Sequence, residues 1–239
     1  MKNPRTFTIH TQPDDATCGP TCLHSVYNYY HDPVDLSLLI KEVEFLREGG
    51  TLAVMLGNHA LKRGYKASLY TYDLQIFDPT WKKLGQRKLI DKLHQSFQIS
   101  KKPKQKLTLK SFIEFLTLGG KVCFDDLSPE LITGFIKKKI PVITGLSSTY
   151  LYQSKREYGR DGIEDDILGQ PCGHFVVLYD QDVRKKKIKL ADPWGRHPFG
   201  KSRNYEVPVQ KLINAILLGV LTYDSNLLIL TPSLKKHYG

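Results

Sequence analysis

No apolar run in the 239 residues reaches the roughly 20 that a membrane-crossing helix needs, which argues against a transmembrane span. The opening stretch MKNPRTFTIHTQP lacks the apolar core of a secretory signal, so the sequence leads one to expect a cytoplasmic protein. Cysteine is scarce. The four thiols, Cys18, Cys22, Cys123 and Cys172, are too few for a disulfide-stapled scaffold, and reduced side chains are expected. Also missing are an arginine-rich helix, an RNA-binding aromatic motif, zinc-finger spacing and any internal repeat. These absences weigh against nucleic acid as a partner, although the formal net charge is +11.

What is present is a globular composition, 41% apolar and 25% charged, in a chain long enough to bury a sizeable core. Much of the positive charge lies in two tracts, KKPKQKLTLK at 101–110 and VRKKKIK at 183–189, which read as solvated surface. The pattern predicts a first short strand over Thr6–Thr11 and a helix from Pro20 to Tyr30, with proline near its first turn. A short helix opening at Asp35–Ser37 and ended by Gly49-Gly50, a helix over Leu52–Arg63 and a strand over Lys66–Tyr70 follow. Two helices are expected near Trp81–Gln98 and Leu109–Leu118, on either side of the polar KKPKQK connection. Ser128 and Pro129 start another helix, and Pro141–Leu146 is a strand. Residues 147–172 read as a long surface loop. His174–Tyr179 and Lys187–Ala191 form a hairpin; Asn204–Val207, a helix from Val209 and a strand at Asn226–Leu230 close the chain. Helices first and an antiparallel sheet afterwards predict an α+β fold in a single domain spanning 1–239, its N-terminal helical part packed on a C-terminal sheet.

Chemistry is concentrated in four residues. Cys18 sits at a predicted helix start, where free N–H groups and the helix dipole stabilise a thiolate. Gly19 beside it would let a substrate backbone approach closely. His174 heads one hairpin strand and Asp192 ends its partner, so pairing the strands brings the two side chains together. Gln12 can offer its amide N–H groups beside the thiol and, with the Cys18 backbone N–H, form a two-donor oxyanion hole. A nucleophile, a base, an orienting carboxylate and an oxyanion donor are the parts of a thiol hydrolase.

Each part has a plainer reading: core cysteine, core histidine, Asp-Pro turn. Cys18 and Cys22 with Cys172 and His174 can also be read as a zinc set, with Cys22 as a buried helix residue and Cys172 as a loop thiol in the competing view. No metal or other cofactor is expected. His24, His31, His59, His94 and His197 show no partner pattern and are expected at the surface. Asp14 and Asp15 either cap the helix start or orient the Gln12 loop. Trp194 either covers the Asp192–His174 pair or simply packs, and Tyr150, Tyr152 and Tyr158 are candidates for a substrate rim.

Gln12, Cys18-Gly19-Pro20, Gly173-His174-Phe175-Val176-Val177 and Asp192-Pro193 together resemble the bacteriocin-processing, double-glycine-leader cysteine peptidases and their stand-alone peptidase-like relatives, which are papain-like in fold. The resemblance extends to the helix, Gly64 and strand after the first helix, and to the closing segment Asn204–Leu230. It implies Cys18 as nucleophile, His174 as general base and acid, Asp192 as the orienting residue and Gln12 as oxyanion donor. The implied substrate is a peptide or protein.

Two departures stand out. Thr17 occupies a position where the leader-cleaving members usually carry an acidic residue, and 75–120 and 147–172 look like insertions. No transporter domain follows in the sequence, so leader cleavage coupled to export by the same chain is not expected. Two other classes of function remain open at this point. One is a non-catalytic basic module, binding nucleic acid or an acidic peptide on the same scaffold. The other is an acyl or peptidyl transferase that forms the same thioester.

Overall fold

Through the centre of the middle strands consecutive side chains are all buried, and alternate residues belong to two different apolar clusters. Phe175 and Val177 join one cluster while Val176 and Leu178 join the other; Leu228 and Leu230 alternate with Leu227 and Ile229 in the same way. A strand apolar on both faces has to be covered on both. The computed structural model, which describes residues 7–159 and 162–233, does this with helices on either side of a seven-stranded sheet.

In chain order the elements begin with α1 (Cys18–Tyr29), α2 (Leu36–Glu42), α3 (Ala53–Lys62) and β1 (Tyr65–Thr71). After a 3-10 turn at Pro79–Lys83 come α4 (Gln86–Ile99), α5 (Pro103–Thr117), β2 (Lys121–Cys123), α6 (Pro129–Lys137) and β3 (Val142–Ser147). Next are α7 (Ser148–Tyr152) and a two-stranded hairpin, β4 (Glu157–Tyr158) with β5 (Ile163–Glu164). The chain then runs through β6 (Gly173–Asp182), β7 (Lys187–Ala191), β8 (Asn204–Pro208), α8 (Val209–Leu218) and β9 (Asn226–Pro232). The large sheet has the order β2-β1-β9-β3-β6-β7-β8 and is antiparallel except where β1 and β2 pair in parallel. Helices α1, α3 and α5 share one apolar cluster, and α6, α7 and α8 the other. The fold is α+β, with two strands contributed from the helical first half.

Several expectations change in detail. Thr6 lies outside the described residues. Phe7–Thr11 joins no ladder although Phe7 and Ile9 are buried, because Arg203 occupies its backbone instead: Nε donates to the Ile9 carbonyl at 2.9 Å and Nη1 to Thr11 Oγ1 at 2.9 Å. The short helix after Asp35 stops at Glu42 rather than at the glycine pair. The KKPKQK connection is not a linker, since Pro103 takes the first helical position and α5 begins there. β2 escaped notice because it is a three-residue edge strand with no alternation to read. The 147–172 loop contains α7 and the β4–β5 hairpin.

α1 and β6 cross at the centre of the molecule. The Cys22 thiol of α1 donates to the Phe175 carbonyl of β6 at 3.3 Å, fully enclosed. That contact carries the start of the helix to the start of the strand.

Candidate active site

Cys18 is the first residue of α1, and Thr17 before it offers the helix no side-chain cap. The first-turn N–H groups therefore remain directed at the space where the thiol lies. Thr17 is occupied elsewhere, closing a turn in which its Oγ1 bonds the Asp14 backbone, while Asp14 Oδ1 accepts from the Ala16 N–H at 2.9 Å. Asp14 thus shapes the loop before the helix and does not cap α1.

Strand pairing decides where His174 and Asp192 meet. In the β6–β7 ladder Val177 faces Ala191, which puts the residue after Ala191 beside the start of β6. There His174 Nε2 bonds Asp192 Oδ1 at 2.8 Å. With Nε2 committed, Nδ1 is the ring nitrogen left to face Cys18, whose thiol helps to raise the imidazole's pKa. Asp192 is completely enclosed and accepts four hydrogen bonds. Oδ1 takes His174 and the Trp194 N–H (2.9 Å), and Oδ2 takes the phenols of Tyr152 (2.7 Å) and Tyr205 (2.5 Å). The Trp194 ring stacks on Tyr152, with 5.2 Å between centroids and 28° between planes.

This surrounding sets the charges. Burial alone would push His174 down, but the Asp192 carboxylate, its hydrogen bond and the contact with Cys18 overcome it and hold the imidazole up at about 10. Burial alone would likewise raise Asp192, yet the imidazolium and the two phenols hold it below the ordinary carboxylate range. The phenols are pushed far above their usual range, first by burial and then by the charge on Asp192. An imidazolium at neutral pH beside a thiol at a helix start supplies the positive charge a thiolate needs.

Cys18 and His174 open onto a cleft of about 330 Å³. Its remaining lining comes from the loop before α1, the Leu46–Thr51 segment, Lys104 of α5, Gly173 and Phe175 of β6, and Thr222 and Asp224 of the turn before β9. Of the four sequence candidates, the structure brings Cys18, His174 and Asp192 into one line, with the histidine in the middle. Gln12 is adjacent but does not line the cleft. Its backbone N–H donates to the Pro193 carbonyl at 3.0 Å and its Nε2 to the Asp14 carbonyl at 2.8 Å, while its Oε1 is buried without a partner. An amide NH2 carries two hydrogens, so one donor is left after the Asp14 bond.

Other expectations need revision. Gly19 is not a substrate platform. It is buried, and a Cβ there would collide with Thr51 Cγ2 and crowd Phe175, so glycine is required by packing. Tyr152 is not on a substrate rim but beneath the site. Tyr150 is half-buried and accepts from Asn214 Nδ2 at 3.1 Å, and of the three tyrosines Tyr158 is the exposed one. His24 and His197 are buried rather than at the surface, and His59 is held between Tyr27 and Glu42. Among the described residues no three His, Cys, Asp or Glu side chains are grouped to hold a metal ion. Cys22 belongs to the core, and Cys172 bonds through its N–H to Thr149. Sequence reasoning missed Tyr152 and Tyr205 as partners of Asp192, because nothing local to either residue marks it.

No family model matches the sequence, and neither does any curated protein. Solved structures are similar to it over 95% of its length. The peptidase domain of Streptococcus ComA, a bi-functional ABC transporter involved in a quorum-sensing pathway, is similar with a TM-score of 0.44 and 15% identity, all of that chain being covered. A C39-like peptidase from Bacillus anthracis is similar with a TM-score of 0.48 at 15% identity over 96% of its length. A double-glycine-motif protease from an AMS/PCAT transporter, solved in complex with the leader peptide, is similar with a TM-score of 0.45 at 15% identity over 93% of its length.

Proposed function

We propose that this protein is a papain-like cysteine hydrolase that cleaves a peptide or isopeptide-like amide. The observation that carries the reading is the imidazole of His174, bonded at Nε2 to an enclosed carboxylate, facing a thiol at the start of a helix, and opening on a cleft. The Cys18 thiolate attacks the amide carbonyl carbon, and the developing oxyanion is received by the Cys18 N–H and the free amide hydrogen of Gln12. His174 gives its proton to the leaving amine as the carbon–nitrogen bond breaks, leaving a thioester. Neutral His174 then takes a proton from water, the hydroxide attacks the thioester, and the Cys18 thiolate departs with the imidazolium restored. Asp192 fixes the imidazole in the one orientation that serves both steps and remains ionised throughout.

Of the two inserted segments, 75–120 reaches the cleft through Lys104, and 147–172 ends at Cys172, next to Gly173 of the cleft lining. Residues 75–120 and 147–172 are read as additions to a single domain that select the substrate. No helix among the described residues is long and apolar enough to cross a membrane, and a cytoplasmic peptide substrate suits the chemistry. If an amine reaches the thioester before water, the same residues carry out a transfer.

A thiol-directed peptide probe, applied to the protein and to Cys18→Ala, tests the reading. Labelling that maps to Cys18 and disappears in the variant supports it; no labelling of Cys18 ends it. The net charge of +11 favours the competing reading of a polyanion-binding module. That reading requires salt-dependent binding together with an inert Cys18.

A further inference from the structure

The cleft contains a second carboxyl that the proposed chemistry does not use. Asp224, in the turn before β9, is only 7% exposed and lines the same cavity as Cys18 and His174. Its Oδ1 is buried and has no hydrogen-bond partner. A buried acceptor left open costs free energy unless something else completes it. Its Oδ2 lies against Gly173, the residue before His174. Any side chain at 173 would collide with that oxygen, so the glycine is what lets the carboxyl stand next to the histidine.

The rest of the lining has the sign to match. In a protein of net charge +11 the cavity presents three carboxyls, Asp15, Glu48 and Asp224, against two cations, Lys104 and the His174 imidazolium. Lys104 is shared with other groups: its Nζ lies 3.9 Å from Glu48 and 4.7 Å from the centre of the Tyr223 ring. Burial pushes the Asp224 carboxyl up to about 7. Asp73 adds to the rise, while Thr222, Lys104 and His174 oppose it. Among the described residues no donor reaches Oδ1, and an incoming cation would restore the charge of the carboxyl.

We propose that Asp224 is a specificity-determining residue of the cleft, receiving the cationic end of an arginine or lysine side chain that flanks the scissile amide. The cavity volume suits one side chain, and the carboxyl stands beside the residue that precedes His174, so the bound cation holds its peptide next to the reacting thiol. The proposal rests on the hydrolase reading for its meaning but not for its test.

The test uses the full chain carrying Cys18→Ala, titrated by NMR with two capped peptides, acetyl-Arg-Gly-amide and acetyl-citrullyl-Gly-amide. They share shape; citrulline has no charge and carries a carbonyl oxygen in place of one guanidinium NH2. The arginine peptide should bind roughly tenfold more tightly or better, the scale of one charge-assisted hydrogen bond to a desolvated carboxylate. Asp224→Asn in the same background should remove the difference and leave the citrulline peptide unchanged. Asparagine is nearly isosteric, and a melting curve verifies the fold; Asp224→Ser serves if asparagine unfolds the turn. Equal binding of the two peptides, no binding of the arginine peptide at millimolar concentration, or a preference that survives in Asp224→Asn overturns the proposal. Fluorogenic versions offered to the intact protein separate the two readings. An arginine preference in binding without turnover keeps the subsite and removes the hydrolase; turnover without the preference does the reverse.

Discussion

Tyr152 and Tyr205 donate to the same oxygen, Oδ2 of Asp192, at 2.7 and 2.5 Å. One phenol comes from α7 and the other from β8, so the orienting carboxylate ties two distant parts of the chain beneath the site. Hydrogen bonds to charged, enclosed groups are the costly ones to remove. Tyr152→Phe and Tyr205→Phe should each lose about 1.5–3 kcal/mol of stability, read as a shift in urea midpoint with unchanged slope. A loss no larger than that of Tyr158→Phe at the exposed rim would refute the assignment.

Asp192 is also expected to set the basic limit of the proposed activity. His174 titrates at about 10 in the folded protein against 6.5 for a free imidazole, so with Asp192 ionised the imidazolium contributes its full stability up to about pH 6.5 and loses it as pH rises through 10; Asp192, held low, loses its own share only on acidification below the ordinary carboxylate range. Turnover that needs the imidazolium should fall off on the same rise. Asp192→Asn removes the charge that opposes burial, so the basic limb of kcat/KM should move to lower pH. A limb that stays in place in the variant would mean that another group controls it.

Thiol reactivity should be confined to one cysteine. Burial drives Cys22 well above its ordinary range and Cys172 up to about 12, and Cys123 is raised as well. Cys18 alone faces an imidazolium. Iodoacetamide at neutral pH, followed by peptide mapping, should mark Cys18 much faster than the other three. Similar rates at Cys18 and Cys172 would count against an activated thiol.

Gln12 is expected to act on the reaction and not on the nucleophile. Gln12→Ala should lower kcat by roughly a hundredfold or more, the usual cost of one oxyanion donor, while Cys18 still alkylates at the normal rate. If alkylation slows in parallel with turnover, Gln12 supports the fold of the loop and not the oxyanion.

The stretch at 147–172 divides into two parts with different consequences. Trimming the hairpin between Glu157 and Gly169, where Gly159 and Gly162 already take the positive φ of turns, should change KM or selectivity and leave Cys18 reactive. Replacing Tyr152 with alanine in α7 removes a bond to Asp192 and should reduce Cys18 reactivity. The opposite pattern would mean that the hairpin, not α7, supports the site.

How much was legible in the sequence follows from range. The helix at Cys18, the hairpin that joins His174 to Asp192, and the start at Ser128 are local signals: a proline at a first turn, a period of two, a capping serine. They fell within a residue or two of their positions. The Tyr152–Asp192–Tyr205 group and the open carboxyl of Asp224 depend on how α7, β8 and the turn before β9 pack together. No window of sequence contains that information. Gly19 misled because a glycine beside a nucleophile suggests substrate access, whereas here Thr51 fills the space.

The Cys22–Phe175 contact lies one helical turn beyond Cys18 and one residue beyond His174. It works as a rivet through the two elements that carry the reacting pair. The spacing between sulfur and imidazole is therefore set by the frame of the molecule and not by its loops. The segments bordering the cleft can lengthen, shorten or change sequence over generations without detuning the chemistry, so a new substrate can be acquired by remodelling the rim alone.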